Sequence, residues 1–320
     1  MPTSYRELFD VPRDVAYLNA ASYSPLPQAT AEVGRAAVGN KVRPWALDGG
    51  FIERTNERAR AAAAKLINAS PDDVALVSSV GYGIATVAKS LDIARGSRVL
   101  VLADDHASPV LEWHVRAPQQ GFTVDTVAFP ADHDWTSAVL AAIDRAGAPP
   151  LAAVSISSVH WADGALLDML PIAAAAKRQG AALIVDATQG AGVTPIDVAA
   201  LDPDALVFPT YKWLLGPYGR AFLYVAKRRQ GGIPLEQTSH GRRDVKAEHA
   251  DYLRDLAFVA SARRFDMGER DHFISMEMTS ASLDLVNRIG PETVAEHTRA
   301  LTQRLADGLS GLPIALHPGE

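Results

Sequence analysis

The sequence predicts an α/β protein built on a doubly wound, mostly parallel sheet of seven strands, and three observations carry that expectation. Short runs of Val, Ile and Leu recur along the 320 residues, which is how strands read when helices cover both faces of a sheet. Between these runs lie Ala-rich segments with apolar residues at helical spacing. The length suits one large core with a smaller part attached.

In chain order, strands are expected near 74–78, 98–102, 123–129, 151–156, 182–186, 205–208 and 221–225. Residues 137–145 and 170–179 read as two of the intervening helices, and Gly180 stands where a helix C-terminal cap belongs. Residues 227–262 are polar and irregular, with Gly231-Gly232, Gly241 and paired arginines, and read as a connector. Helices return at 273–287 and 291–309. Pro291 suits a first helical turn, where its missing N–H is no loss, and Gly311 with Pro313 marks the stop. Val294, Thr298, Leu301, Leu305 and Leu309 make one apolar stripe on the second helix, and 314–316 begins a further strand. In an open sheet of this kind, ligands bind at the carboxyl ends of the strands.

Composition narrows the function. Hydrophobic residues at 48% and charged residues at 21% describe an ordinary globular protein. A net charge of −6 and a pI near 5.9 argue against nucleic acid as a partner, because phosphates need clustered positive potential. The basic runs Lys227-Arg228-Arg229, Arg242-Arg243 and Arg263-Arg264 are local and read as solvated faces. These residues include no Cys, so they supply no disulfide, thiolate nucleophile or Cys-ligated zinc. Met1 to Glu7 lack an apolar signal core, and no run approaches the ~18 uninterrupted apolar residues of a membrane span. A cytoplasmic protein without a membrane partner is expected.

Three motifs carry chemistry. Ser78-Ser79-Val80-Gly81-Tyr82-Gly83 lies between a strand and a helix, where small residues let the backbone approach a ligand and free N–H groups can hold a phosphate. Alone this is common turn chemistry, and a dinucleotide fingerprint lacks its third glycine here. Asp186, in Val185-Asp186-Ala187-Thr188-Gln189, ends the strongest apolar strand. A carboxylate there either caps a helix or pairs with a pyridinium nitrogen, keeping such a ring able to accept electrons; Gln189 is placed to donate to the ring's phenolic oxygen. Lys212 follows another strand and is fixed by Gly216-Pro217. A lysine so held, its pKa lowered by burial, forms a Schiff base and carries a proton at a substrate α-carbon.

With these motifs in this order, the chain resembles the class V aminotransferase family of fold-type I pyridoxal-phosphate enzymes, which includes cysteine desulfurases and isopenicillin-epimerase-like proteins. The likeness runs from Leu18-Asn19-Ala20-Ala21-Ser22-Tyr23-Ser24-Pro25 through the motifs above to Arg264-Phe265-Asp266-Met267-Gly268-Glu269-Arg270. It implies an N-terminal arm at 1–17, a large cofactor-binding domain with its connector at 18–262, and at 263–320 the first part of a small α/β domain. It also implies pyridoxal 5'-phosphate, a small amino-acid or amine-bearing substrate, and a homodimer.

By position, the resemblance turns Val80 and Gly81 toward the cofactor phosphate and puts Thr210 and Tyr211 beside it. It makes His106 the residue stacked on the ring, with Trp113 a second candidate, and sets Trp161 where many relatives have an Asn near the phenolic oxygen. Arg270 would approach the neighbouring subunit's phosphate. Gly81 replaces the family's Thr, Glu269 replaces another, and Pro209-Thr210-Tyr211 replaces the Ser-Gly-His of desulfurases. Relatives continue into a segment that supplies an Arg for the substrate carboxylate, which these 320 residues do not contain. The expected activity is aminotransferase or lyase chemistry through Lys212, Asp186 and His106. The alternatives are amino-acid epimerisation or a truncated, non-catalytic binding homologue.

Overall fold

The computed structural model describes residues 5–245 and 255–313. Two helices, α1 (Gln28–Val42) and α2 (Phe51–Leu66), precede the sheet. There follow β1 (Val74–Val77), α3 (Val80–Ser90), β2 (Arg98–Leu102), α4 (Ala107–Gln120), β3 (Thr123–Val127), α5 (Trp135–Ile143), β4 (Leu151–Ser157), α6 (Met169–Arg178), β5 (Ala182–Asp186), α7 (Val198–Leu201), β6 (Ala205–Pro209) and β7 (Ala221–Val225). After the connector come α8 (Phe273–Ile289) and α9 (Pro291–Leu309).

All seven expected strands form one sheet in the order β1-β7-β6-β5-β4-β2-β3. Strand β7 alone runs against its neighbours, antiparallel to both β1 and β6. Strand β3 stops two residues short of its expected end and is partly exposed, because it forms the sheet's edge and only one side of it is paired. The other six strands are buried almost throughout. Helix starts follow local chemistry: Ser79, Asp134, Asp168 and Asp197 each accept a first-turn N–H with the side chain.

Each face of the sheet carries its own apolar layer. Trp135, Ile156, Phe208 and Phe222 belong to one; Ile84, Trp113, Val101 and Val207 belong to the other. Fully burying such side chains contributes roughly 1.5–3 kcal/mol each. Phe265 lies in the second layer and Met276, Leu283 and Val286 in the first. Helix α8 rests on α1 and α2. Residues 265–286 therefore pack with the large unit, whereas α9 buries no residue and leaves Leu301 and Leu305 exposed on its stripe. The strand expected at 314–316 lies outside the described residues.

A buried ion pair ties these parts together. Arg60 of α2 reaches both oxygens of Asp266, at 3.0 and 2.7 Å, and Asp266 also accepts the N–H of Leu76 at 2.8 Å. Neither side chain of the pair is solvent-exposed. Arg228 and Arg229 are bound by Asp204, and Arg263 by Glu57 and Asp72, so these basic residues serve the fold. No helix among the described residues is long and apolar enough to cross a membrane.

Candidate active site

Asp186 is the last residue of β5, in register with Ser157 of β4. Only 2% of it is exposed. The two protein hydrogen bonds that reach its carboxylate, from the N–H and the hydroxyl of Thr188, both end on Oδ1. Burial pushes its pKa up to about 6, against the pull of Thr188; the nearby Asp105 adds to the rise and Lys212 opposes it.

Lys212 lies in the loop between β6 and β7, largely buried. The loop is stapled across its base: the carbonyl of Thr210 accepts the N–H of Gly216 at 2.8 Å, and the Thr210 hydroxyl donates to the carbonyls of Pro217 and Arg220. Leu215 closes the turn onto the Lys212 carbonyl at 3.0 Å with φ of 56°. A left-handed leucine costs about 1 kcal/mol or more, and such strain collects where a fold holds a side chain in a set position. Burial lowers the pKa of Lys212, while Asp186 pulls it back up. The neutral amine, which is the nucleophile, is thereby favoured.

His106 caps the start of α4, and its ring meets the Trp161 ring edge-on at 6.0 Å. Its pKa is lowered by burial and by the charge of Lys212. Asp105 orders this loop by accepting the N–H of His106 at 2.7 Å and both the N–H and hydroxyl of Ser157. Asp104, just before it, also has a positive φ, of 54°. Three titratable groups from three strand ends thus converge, with the charge of Lys212 shifting both Asp186 and His106.

The remaining expected residues are placed variously. The Val80 side chain lies in the core, and the first-turn N–H groups of Val80 and Gly81 have no helical acceptor. A methyl group on Gly81 would meet the Ser108 hydroxyl at an ordinary 3.8 Å, so there is room beside this turn. Gln189 accepts from the Trp213 indole at 2.7 Å and donates to the Ala21 carbonyl, bracing the lysine loop against the N-terminal segment. Trp161 is half exposed and donates to the Asp104 carbonyl at 2.6 Å, bracing the His106 loop. Tyr211 presents its ring 5.8 Å from the Lys212 amine.

Trp113 does not join the site. It is fully buried among the apolar residues beneath α3 and α4, with no face open to a ligand, because its position on α4 turns inward to the sheet. Thr210 is likewise fully buried and committed to carbonyls of its own loop. Arg270 is held within its own chain by Asp266, by Glu53 at 3.0 Å and by Asp271.

Sequence reasoning assigned no role to Thr188, Asp105 or Arg220. Thr188 has a readable signal, since a hydroxyl two residues after an aspartate commonly bonds it. Asp105 had only its place beside His106. Arg220 had none: its guanidinium is buried, donates to Ser275 at 2.7 Å and reaches toward the Glu269 and Arg270 carbonyls, and burial pushes its pKa down to about 10. A separate cavity of about 520 Å³ beneath α9, lined in part by Leu167, Ile196, Leu201 and Arg299, includes none of the three titratable groups.

A pyridine-type cofactor fits these groups. Asp186 leaves one oxygen without a donor among the described residues, as a pyridinium N–H requires, Lys212 supplies the amine, and the start of α3 offers N–H groups to an anion. The profile of class V aminotransferases matches residues 17–318. The chain belongs to the class V aminotransferase family. The cofactor of these enzymes is pyridoxal 5'-phosphate, so this class V protein is a cofactor-dependent enzyme of the α/β, fold-type I architecture.

The chain is 31% identical over 312 residues to the uncharacterized aminotransferase YcbU of Bacillus subtilis, covering 94% of this chain and 77% of that protein. It is 28% identical over 327 aligned positions to the isopenicillin N epimerase of Amycolatopsis lactamdurans, covering 98% and 81%. Among solved structures, the cystine C-S lyase C-DES in complex with cysteine persulfide superposes with a TM-score of 0.81 at 23% identity, covering 94% of this chain and 80% of that one. The apo cysteine desulfurase of Thermococcus onnurineus NA1 gives 0.80 at 21%, covering 94% and 75%. At these identities the two structures speak for the fold.

Proposed function

We propose that this class V enzyme transaminates, or eliminates a substituent from, an amino acid or amine-bearing metabolite, with Lys212 as the attachment and proton-carrying residue. The observation that carries the reading is the placement of two buried groups at the ends of the paired strands β5 and β6, Asp186 and Lys212, close enough for each to shift the other's pKa. When bound, pyridoxal phosphate supplies the electron sink that makes a substrate α-proton acidic. Asp186, through the oxygen that Thr188 leaves free, would hold the ring nitrogen protonated. Lys212 takes the α-proton and returns it, and burial, by lowering its pKa, favours the neutral amine that this role needs. His106, its pKa lowered by burial and Lys212, would lie beside the ring as a neutral second proton acceptor. The N–H groups at the start of α3 would hold the phosphate.

Epimerisation is a second reading, supported by the nearness of two proton carriers, Lys212 and His106, and by the likeness to an isopenicillin N epimerase. A route through a protein persulfide is closed to these residues, which include no Cys. We place the enzyme in the cytoplasm and read it as a homodimer, on the family likeness.

Borohydride reduction of the cofactor-loaded protein, followed by peptide mapping, tests the assignment: the adduct should sit on Lys212, and an adduct on another lysine would reject it. Incubating the holoenzyme with amino acids, with and without a keto-acid acceptor, separates the reactions. Conversion of the cofactor to its amine form marks transamination, keto acid plus ammonia marks elimination, and appearance of the α-carbon epimer on chiral chromatography marks epimerisation.

A further inference from the structure

We infer that the site takes amino acids with an uncharged aromatic side chain, held by a wall of tyrosines beside Lys212; this rests on the cofactor reading above. The Tyr211 ring, 5.8 Å from the lysine amine, is stacked by Tyr218 at 4.1 Å with the planes 16° apart. Tyr23, from the N-terminal segment, tilts against Tyr218 at 6.3 Å.

The backbone beneath this wall is fixed. Ser24 donates to the Tyr211 carbonyl at 3.2 Å, the Tyr17 hydroxyl donates to the Tyr23 carbonyl at 2.6 Å, and Gln189 reaches the Ala21 carbonyl. The rings themselves are open, with Tyr218 57% and Tyr23 62% exposed. Single exposed aromatics need no explanation, but a contiguous, pre-ordered set at the edge of a reactive amine does.

The chemistry of the wall selects the side chain. Burial raises the pKa of the Tyr211 and Tyr218 hydroxyls, so they stay protonated, and the groups that add to the rise at Tyr218 are Tyr23 and Tyr17. The Tyr17 and Tyr218 hydroxyls already donate to the carbonyls of Tyr23 and Ser22, so the wall offers ring faces rather than free donors to an acidic side chain. A planar ring would extend the existing stack by offset or edge-on contact, each such contact strengthening binding by about twofold to tenfold. An amino acid whose nitrogen meets the Lys212 amine starts its side chain two bonds away, beside the Tyr211 ring that lies 5.8 Å from that amine and carries Tyr218 on its stack.

The probes are phosphopyridoxyl-L-phenylalanine and phosphopyridoxyl-L-alanine, stable reduced conjugates of cofactor and amino acid, titrated into the cofactor-free 320-residue protein by equilibrium dialysis. The phenylalanine conjugate should bind about tenfold more tightly. Tyr218→Ala and Tyr23→Ala should each shrink that ratio several-fold, and Tyr218→Phe should keep it. Equal binding of the two conjugates would overturn the inference while leaving the cofactor reading intact. A preference that survives both alanine substitutions would remove the wall as its cause. Binding of neither conjugate would reject the cofactor reading and this inference with it.

Discussion

At Asp186 the requirements of fold and chemistry oppose each other. A carboxylate with 2% of its surface exposed and both protein hydrogen bonds on one oxygen is poorly solvated when charged. Its folded pKa, about 6, lies above the ordinary 3.8. The sign follows: the contribution to stability is complete below pH 3.8 and is lost as pH rises through about 6, leaving a cost at neutral pH. Asp186→Asn keeps an oxygen for Thr188 and removes the charge. The cofactor-free variant should be more stable than the parent at pH 8 by up to about 3 kcal/mol, with no gain near pH 3.5, as urea unfolding would show. The same variant should lose most turnover with cofactor bound, because an amide cannot hold the ring nitrogen protonated. A destabilised Asn variant at pH 8 would mean that the carboxylate serves the fold.

At the level of elements, the site depends on how closely α3 approaches β6, since one presents the anion-binding turn and the other leads to Lys212. Gly83 sets that distance: a methyl group there would stand 2.7 Å from a Val207 methyl. Val207 is fully buried in the middle of the sheet and its branched side chain has little freedom. Gly83→Ala should therefore cost roughly 1–3 kcal/mol in thermal or urea unfolding, despite the higher helix propensity of alanine. It should also weaken cofactor binding by moving the N–H groups of Val80 and Gly81. Unchanged stability would show that the helix shifts freely. A second element-level device is the Arg60–Asp266 pair between α2 and the turn before α8. Removing one partner leaves a buried charge, so Asp266→Ala should destabilise by ~3–5 kcal/mol, read as a lower urea midpoint.

For the molecule as a whole, the oligomeric state is the open prediction, and the exposed apolar side chains Leu18, at 92%, and Trp45, at 81%, are sites to follow in it. Sedimentation should give a dimer. The expectation that Arg270 serves the neighbouring subunit's phosphate must contend with Asp266, Glu53 and Asp271, which engage it within its own chain. If the dimer recruits it, Arg270→Ala should weaken cofactor binding by about tenfold or more, in line with loss of a charged contact. A lower melting temperature with an unchanged cofactor Kd would assign Arg270 to the Asp266 cluster alone.

The number of the strands and their approximate limits along the chain were legible because a doubly covered sheet writes itself as apolar runs, and Asp186 and Lys212 drew attention because each stands at the end of such a run. What those runs do not encode is direction in space. Trp113 and His106 are seven residues apart on one loop and helix, both aromatic. Only packing of α4 on the sheet turns Trp113 fully inward and leaves His106 at the open end near Lys212. In the same way Thr210 sits two residues from the lysine yet serves the loop, and the stripe on α9 looks like a core face yet stays largely open. Sequence thus determined the family of chemistry, through short local patterns. Tertiary structure decided which side chains meet, because contacts such as Tyr23 with Tyr218 or Arg60 with Asp266 join residues almost two hundred or more positions apart, and no local spacing records them.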